Sequence, residues 1–172
     1  MVKNVKIRKL TRLALLSAIA LTIFMVESQI PPLTPVPGIK LGLANIVTVF
    51  TVFAIGSREA AMVLFVRIFL GAVFAGNFST ILYSASGGLC AILTTILMKK
   101  LLTKKQLWVA GVLGAIAHSL GQMAAAVAIT ATPGLLAYLP VMVAVSILTG
   151  AFTGLCAQFL VDRGNLWKIT ST

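Results

Sequence analysis

Few side chains of this sequence can carry a charge or transfer a proton: its 172 residues include three acids, one histidine, and fourteen lysines and arginines. Their positions are informative, because a charged side chain at the centre of a membrane helix costs about 2.5–3.5 kcal/mol on insertion scales. Seven polar residues lie within apolar segments or at their ends and are the candidate ligand-binding residues: Glu27, Lys40, Asn45, Arg67, Asn77, His118 and Gln122. Cations that neutralise an anionic group, with amides and an imidazole that orient it, would form such a site.

Arg67 lies in the middle of the apolar segment 60–76, which contains no acid. One interpretation is that Arg67 faces the interior of a helix bundle and holds an anionic ligand. The alternative is a structural pairing with Glu27 or with carbonyl groups at a helix end. The sequence leaves both open.

His118 and Gln122 are one helical turn apart and therefore share one face of a helix. They predict either part of a ligand pocket or a structural hydrogen-bonded pair. Lys40 is likewise either a pocket cation or a solvated loop charge, and Asn45 and Asn77 are either ligand-binding amides or helix caps. Because these residues are grouped at one level of the apolar segments, the sequence favours a pocket.

Several catalytic signatures are missing from the sequence. Asp162 is the only aspartate, whereas a prenyl diphosphate synthase needs several carboxylates to hold magnesium on a diphosphate. No glycine-rich phosphate loop ending in Lys-Ser or Lys-Thr is present, and Cys90 and Cys156 lack the spacing of a zinc site. We therefore expect a non-enzymatic protein with no metal or cofactor of its own.

The composition indicates which elements position these residues. Hydrophobic residues make up 59% of the chain and charged residues 10%, with a mean hydropathy of +1.07, which excludes a water-soluble enzyme and a disordered segment. We predict an all-α integral membrane protein whose residues 1–172 form a single domain, a bundle of six transmembrane helices. The predicted spans are 10–26, 41–55, 60–76, 80–98, 107–131 and 137–160. We interpret the first as a retained helix, because no signal-peptidase site follows it.

The basic residues predict the orientation of the bundle. With the N-terminus inside, twelve of the fourteen lysines and arginines fall on one side of the membrane, which the positive-inside rule makes cytoplasmic. We therefore expect a multi-pass protein of the cell membrane, surrounded by lipid, with both termini cytoplasmic and no affinity for nucleic acid. The two exceptions, Lys40 and Arg67, join the other candidate residues in a cup that opens outward.

A series of motifs follows one order along almost the whole chain and resembles a bacterial membrane family. The motifs are Pro31-Pro32, Pro37-Gly38-Ile39-Lys40-Leu41-Gly42-Leu43-Ala44-Asn45-Ile46, Arg67-Ile68-Phe69-Leu70-Gly71, Gly76-Asn77, Ser86-Gly87-Gly88-Leu89, His118-Ser119-Leu120-Gly121-Gln122 and Tyr138-Leu139-Pro140. The family is labelled heptaprenyl diphosphate synthase component I or Gx transporter. Its commoner residue after the histidine is asparagine, where this chain has Ser119.

This family is similar in size, six-span layout and orientation to the S components of energy-coupling-factor vitamin transporters. The resemblance implies a subunit that binds a small polar or anionic organic molecule in an outward-facing pocket. It also implies a transmembrane coupling subunit, contacted through Ala14 and Ala18 of the first helix, and partner ATPase subunits that use ATP. From their spacing alone, the two alanines favour helix contacts inside the bundle, with docking of a separate membrane subunit as the alternative.

Two other functions stay open at this point. One is a non-catalytic membrane component of heptaprenyl diphosphate or menaquinone biosynthesis, in which a partner subunit supplies the catalysis. The other is a structural partner in a membrane redox complex, in which the polar residues only hold the helices together.

Overall fold

The computed structural model describes residues 2–31, 40–76 and 79–163, with six α-helices and no strand among them. The helices are α1 (Val2–Glu27), α2 (Asn45–Ala54), α3 (Ser57–Ala75), α4 (Ser79–Leu101), α5 (Leu107–Thr130) and α6 (Leu139–Arg163). Short 3-10 turns, Lys104–Gln106 and Pro133–Tyr138, precede α5 and α6. The candidate residue Asn77 and most of the proline-rich connection, 32–39, lie outside the described residues.

Four helical segments are long and apolar enough to cross a membrane: Lys6–Glu27, Thr80–Leu101, Leu107–Thr130 and Pro133–Arg163. Helix α3 has 19 residues, but it carries the charged residues Arg58, Glu59 and Arg67. Helix α2 has ten residues and is therefore about 15 Å long, half of the ~30 Å hydrocarbon core. These helices indicate a multi-pass membrane protein, whereas the count of six spans and the orientation stay predictions.

Large apolar side chains on the outer faces of the long helices are exposed. Phe65, Leu148 and Phe159 are 71%, 72% and 56% exposed, respectively. In water such a surface would drive aggregation, because monomeric soluble proteins rarely leave large apolar patches uncovered. Exposed apolar side chains of this kind suit a lipid environment, which supports the membrane assignment made from composition.

Helix α5 packs directly against α6 through glycines. A Cβ atom on Gly154 would lie 2.7 Å from the backbone Cα of Trp108, and one on Gly111 would lie 2.5 Å from the Cα of Gly154. Gly150 makes a similar approach to Val112. The pair Gly150 and Gly154 therefore serves contacts inside the bundle, as small residues at four-residue spacing commonly do.

Helices α1 and α3 run parallel, and side chains connect them near both ends. Near their starts, Lys9 forms an ion pair with Glu59. Near their ends, the ring of Phe24 fills the space over Gly71, where a Cβ atom would lie 2.7 Å from the ring. The end of α1 and the middle of α3 are thereby held together, which brings Glu27 close to Arg67.

The backbone contact between α5 and α6 predicts that Gly154→Ala lowers the stability of the protein. The added methyl group meets backbone atoms that cannot rotate away, so we expect a loss of about 1–3 kcal/mol. The measurement is thermal or denaturant unfolding of the purified protein in detergent. Gly134→Ala is the matched control, because open space surrounds Gly134, and equal melting of the two variants would contradict the packing described.

Candidate functional site

Six of the seven candidate residues come together at one place, which we call the polar cluster: Glu27, Lys40, Asn45, Arg67, His118 and Gln122. Glu27 lies at the end of α1, Lys40 in the non-helical segment before α2, and Asn45 at the start of α2. Arg67 lies in the middle of α3, and His118 and Gln122 lie on α5. Phe24 contacts Lys40 and Arg67. Gly42 contacts Glu27, Asn45 and His118. Asn77, the seventh candidate, lies outside the described residues.

The carboxylate of Glu27 lies at the N-terminus of α2. The backbone N–H of Gly42 donates a hydrogen bond of 2.5 Å to its Oε1, and the backbone of Ala44 also interacts with it. A helix begins with unpaired N–H groups and a partial positive charge, so an anion is stabilised there. No side chain caps this helix at Ala44, and Glu27, which is buried, binds backbone N–H groups just before it.

The predicted span 41–55 contains helix α2, which begins four residues after the start of that segment. Residues 40–44 are not helical, and α2 begins only at Asn45. The physical reason is that Gly42 has a positive φ of 82°, a backbone conformation outside the right-handed helix, and its N–H binds Glu27 instead of a helical carbonyl. Irregular backbone at membrane depth is tolerated where the protein satisfies it in this way.

Two cations flank this carboxylate. The ammonium group of Lys40 donates a hydrogen bond to the Ser28 hydroxyl and lies 3.4 Å from the centroid of the Phe24 ring. The guanidinium carbon of Arg67 lies 5.7 Å from the same centroid. Both cations interact electrostatically with Glu27, but within the described part of the chain neither forms a direct ion pair with it.

Lys40 is half-buried in the connection between α1 and α2, so it is not a freely solvated loop charge. Burial lowers the pKa of its ammonium group from 10.5 to about 8, with Glu27 opposing this shift and Arg67 adding to it. The charge of Lys40 therefore depends on pH in an accessible range.

Five buried polar atoms of the polar cluster have no hydrogen-bond partner among the described residues. They are Nε and Nη2 of Arg67, both amide atoms of Asn45 and Nδ1 of His118. These residues are 4%, 3% and 1% exposed, respectively. Leaving a buried donor or acceptor unpaired costs about 1–3 kcal/mol, and more for charged groups. Asn45 is therefore not acting as a helix cap, and the described residues leave these five buried atoms unpaired.

His118 and Gln122 occupy the same face of α5, as their spacing predicts, and both are buried. The imidazole lies between two glycines: a Cβ atom on Gly42 would lie 2.9 Å from its Cδ2, and one on Gly87 would lie 3.0 Å from its Cε1. The amide oxygen of Gln122 accepts a hydrogen bond of 3.2 Å from the backbone N–H of Lys40. Helix α5 is thereby attached to the segment that precedes α2.

Sequence reasoning missed the residues that hold the cluster in place, namely Phe24, Ser28, Gly42 and Gly87. Their types are ordinary in an apolar helix or loop, so only the contacts show their role. A weak signal existed in Gly42 and Gly87, because both lie inside the motifs that resemble the family.

Ala14 and Ala18 are remote from the polar cluster and exposed on α1. With residues of α3 they line an apolar cavity of about 420 Å³ between the two helices. Their face of α1 is exposed at this recess beside α3.

The fold and the polar cluster together define a class: a helical membrane protein with a buried cluster of polar side chains beside a short helix. Neither cysteine is paired, and no group of three metal-ligating side chains occurs within the described ranges. The sequence model of heptaprenyl diphosphate synthase component I matches residues 16–160, so the chain belongs to this family. No curated protein and no solved structure matches the chain.

The position of Glu27 predicts that Glu27→Gln destabilises the fold. The amide keeps an acceptor for Gly42 but removes the negative charge beside Lys40 and Arg67. We expect a loss of about 1–3 kcal/mol, because the Gly42 hydrogen bond loses its charged acceptor and the two cations lose their counter-charge, measured by unfolding in detergent.

Glu59→Gln is the matched control for this substitution, because Glu59 pairs with Lys9 in a largely exposed position. Surface pairs contribute about 0–1 kcal/mol. An equal effect of the two substitutions would contradict a special role of Glu27.

Proposed function

We propose that this protein is the substrate-binding membrane subunit of an importer of the energy-coupling-factor type, and that its ligand is a small polar or anionic organic molecule. The observation that carries the proposal is the polar cluster, in which Arg67, Asn45 and His118 are buried with unpaired polar atoms. A purely structural cluster would pair these atoms within the protein, since buried polar groups are nearly always hydrogen-bonded.

The charge of the cluster supports an anionic ligand. Glu27 contributes one negative charge, Lys40 and Arg67 contribute two positive charges, and the N-terminus of α2 adds a partial positive charge. A ligand anion would balance the excess charge. In the proposed orientation, with both termini cytoplasmic, this site faces the outside of the cell membrane.

In this proposal the protein performs no catalysis and needs no cofactor, and its partners supply the energy. A transmembrane coupling subunit contacts the exposed face of α1 at Ala14 and Ala18, and ATPase subunits hydrolyse ATP. The cavity between α1 and α3 makes this face suitable, because small residues beside a recess let another helix approach closely.

The second candidate function is a non-catalytic membrane component of heptaprenyl diphosphate synthesis. The description of the family favours it, because that description names a component of a synthase. Affinity purification of the tagged chain from its native membrane separates the two. ATPases with a coupling subunit in the eluate support import, and a soluble prenyl synthase supports the second function.

Ligand retention tests the proposed site directly. Native mass spectrometry of the protein, purified in mild detergent from its native membrane, is expected to show an additional small-molecule mass. Arg67→Gln and His118→Ala should each lower the occupancy at least tenfold. Arg163→Gln is the control, since it removes a cation at the far end of α6, and unchanged occupancy in both site variants would overturn the assignment.

The protonation of Lys40 predicts how ligand retention depends on pH. Because its pKa is lowered to about 8, Lys40 is charged at pH 7 and mostly neutral at pH 9, so an anion should bind more weakly at pH 9. Lys40→Arg stays charged at both values and should largely remove this change. The measurement is ligand occupancy or affinity between pH 7 and pH 9, and a variant with the wild-type pH profile would exclude Lys40 as the cause.

A further inference from the structure

The unpaired atoms of the polar cluster also restrict the chemistry of the ligand, an inference that rests on the proposed function. We infer that the site takes a monoanionic carboxylate that also carries an amide-type group, with an N–H donor and a C=O acceptor. The inference rests on which atoms of Arg67, Asn45 and His118 are unpaired.

The two unpaired nitrogens of Arg67 belong to one edge of its guanidinium group. Nε–H and the adjacent Nη2–H point in parallel along this side, and neither has a partner within 2–31, 40–76 and 79–163. Parallel donors on one edge match the two oxygens of a carboxylate in a bidentate hydrogen bond. Glu27 does not use this edge, since its hydrogen bond comes from Gly42.

The total charge favours one negative charge on the ligand. Two cations and the one carboxylate of Glu27 leave an excess of one positive charge when Lys40 is protonated. A single carboxylate makes the buried cluster neutral. A dianion would leave an uncompensated negative charge in a region of low dielectric, which is unfavourable.

Asn45 requires a second group on the ligand. Both its amide nitrogen and its amide oxygen are buried and unpaired, so it offers a donor and an acceptor at the same place. The complementary partner is another amide, whose C=O accepts and whose N–H donates. A ligand with a carboxylate alone would leave at least one of these atoms unsatisfied.

His118 lies beside Asn45 and also favours a ligand with an N–H donor. Both side chains face the Cα of Gly42, where an added Cβ atom would lie 2.9 Å from Asn45 Nδ2 and 2.9 Å from His118 Cδ2. The ring hydrogen-bonds the backbone of Gly87, while Nδ1 has no partner. Because the ring donates an N–H to Gly87, Nδ1 of the neutral imidazole is an acceptor for a ligand N–H.

Four small molecules of similar size test this inference one group at a time. Succinamate carries one carboxylate and one amide, butyrate only a carboxylate, succinamide only amides, and succinate two carboxylates. Affinities are measured by calorimetry at pH 7 on the full chain in nanodiscs. We expect succinamate to bind at least tenfold more tightly than each of the other three, which corresponds to about 1.4 kcal/mol.

Variants assign each preference to a residue. Asn45→Leu should bind succinamate and butyrate equally well. The same variant should still bind succinamate more tightly than succinamide. Arg67→Lys keeps the charge but lacks the side-on edge, and it should reduce the preference for succinamate over succinamide. A circular dichroism melt of each variant confirms that it is folded before binding is measured.

The outcomes separate this inference from the proposed function. Equal binding of butyrate and succinamate, or tighter binding of succinate, would overturn the ligand class and leave a substrate-binding subunit in place. Binding of none of the four, together with no ligand mass in native mass spectrometry, would overturn both.

Discussion

The interaction on which the rest of the structure depends is the contact between the Glu27 carboxylate and the N-terminus of α2. It allows a ten-residue helix to begin inside the protein, because the carboxylate takes hydrogen bonds from backbone groups that would otherwise be unpaired. A positive charge lies at the C-terminal end of α2, where the ammonium group of Lys99 donates a hydrogen bond to the carbonyl of Val52. Both ends of the helix dipole are therefore compensated by side chains of other helices.

This arrangement accounts for the unpaired polar atoms of Arg67 among the described residues. The Glu27 carboxylate accepts hydrogen bonds from the backbone just before α2. It therefore interacts with Lys40 and Arg67 electrostatically, without a direct ion pair among the described residues. One edge of the buried Arg67 guanidinium group therefore has no partner in the part of the chain that the structure describes. The Phe24 ring, close to both cations, adds a favourable cation–π contact but no hydrogen-bond acceptor of conventional strength.

Helix α5 brings the remaining polar residues to this place by close packing. Its glycines let the α6 backbone approach on one side, and Gly87 of α4 leaves room for His118 on another. Because these contacts involve backbone atoms, a side chain larger than hydrogen at these glycines would push α5 away from its neighbours. Gln122 then binds the backbone of Lys40, which connects α5 to the segment before α2.

The sequence alone determined the all-helical membrane class, the extent of the long apolar helices and the identity of the polar residues, because bilayer solvation acts on each segment separately. The predicted segment 107–131, for example, agrees with α5 (Leu107–Thr130). Only the tertiary structure decided that α2 begins at Asn45, that Glu27 binds Gly42 and that Arg67 keeps a free edge. These features depend on contacts between residues 15 or more positions apart, and no local pattern of hydrophobicity or charge encodes such contacts.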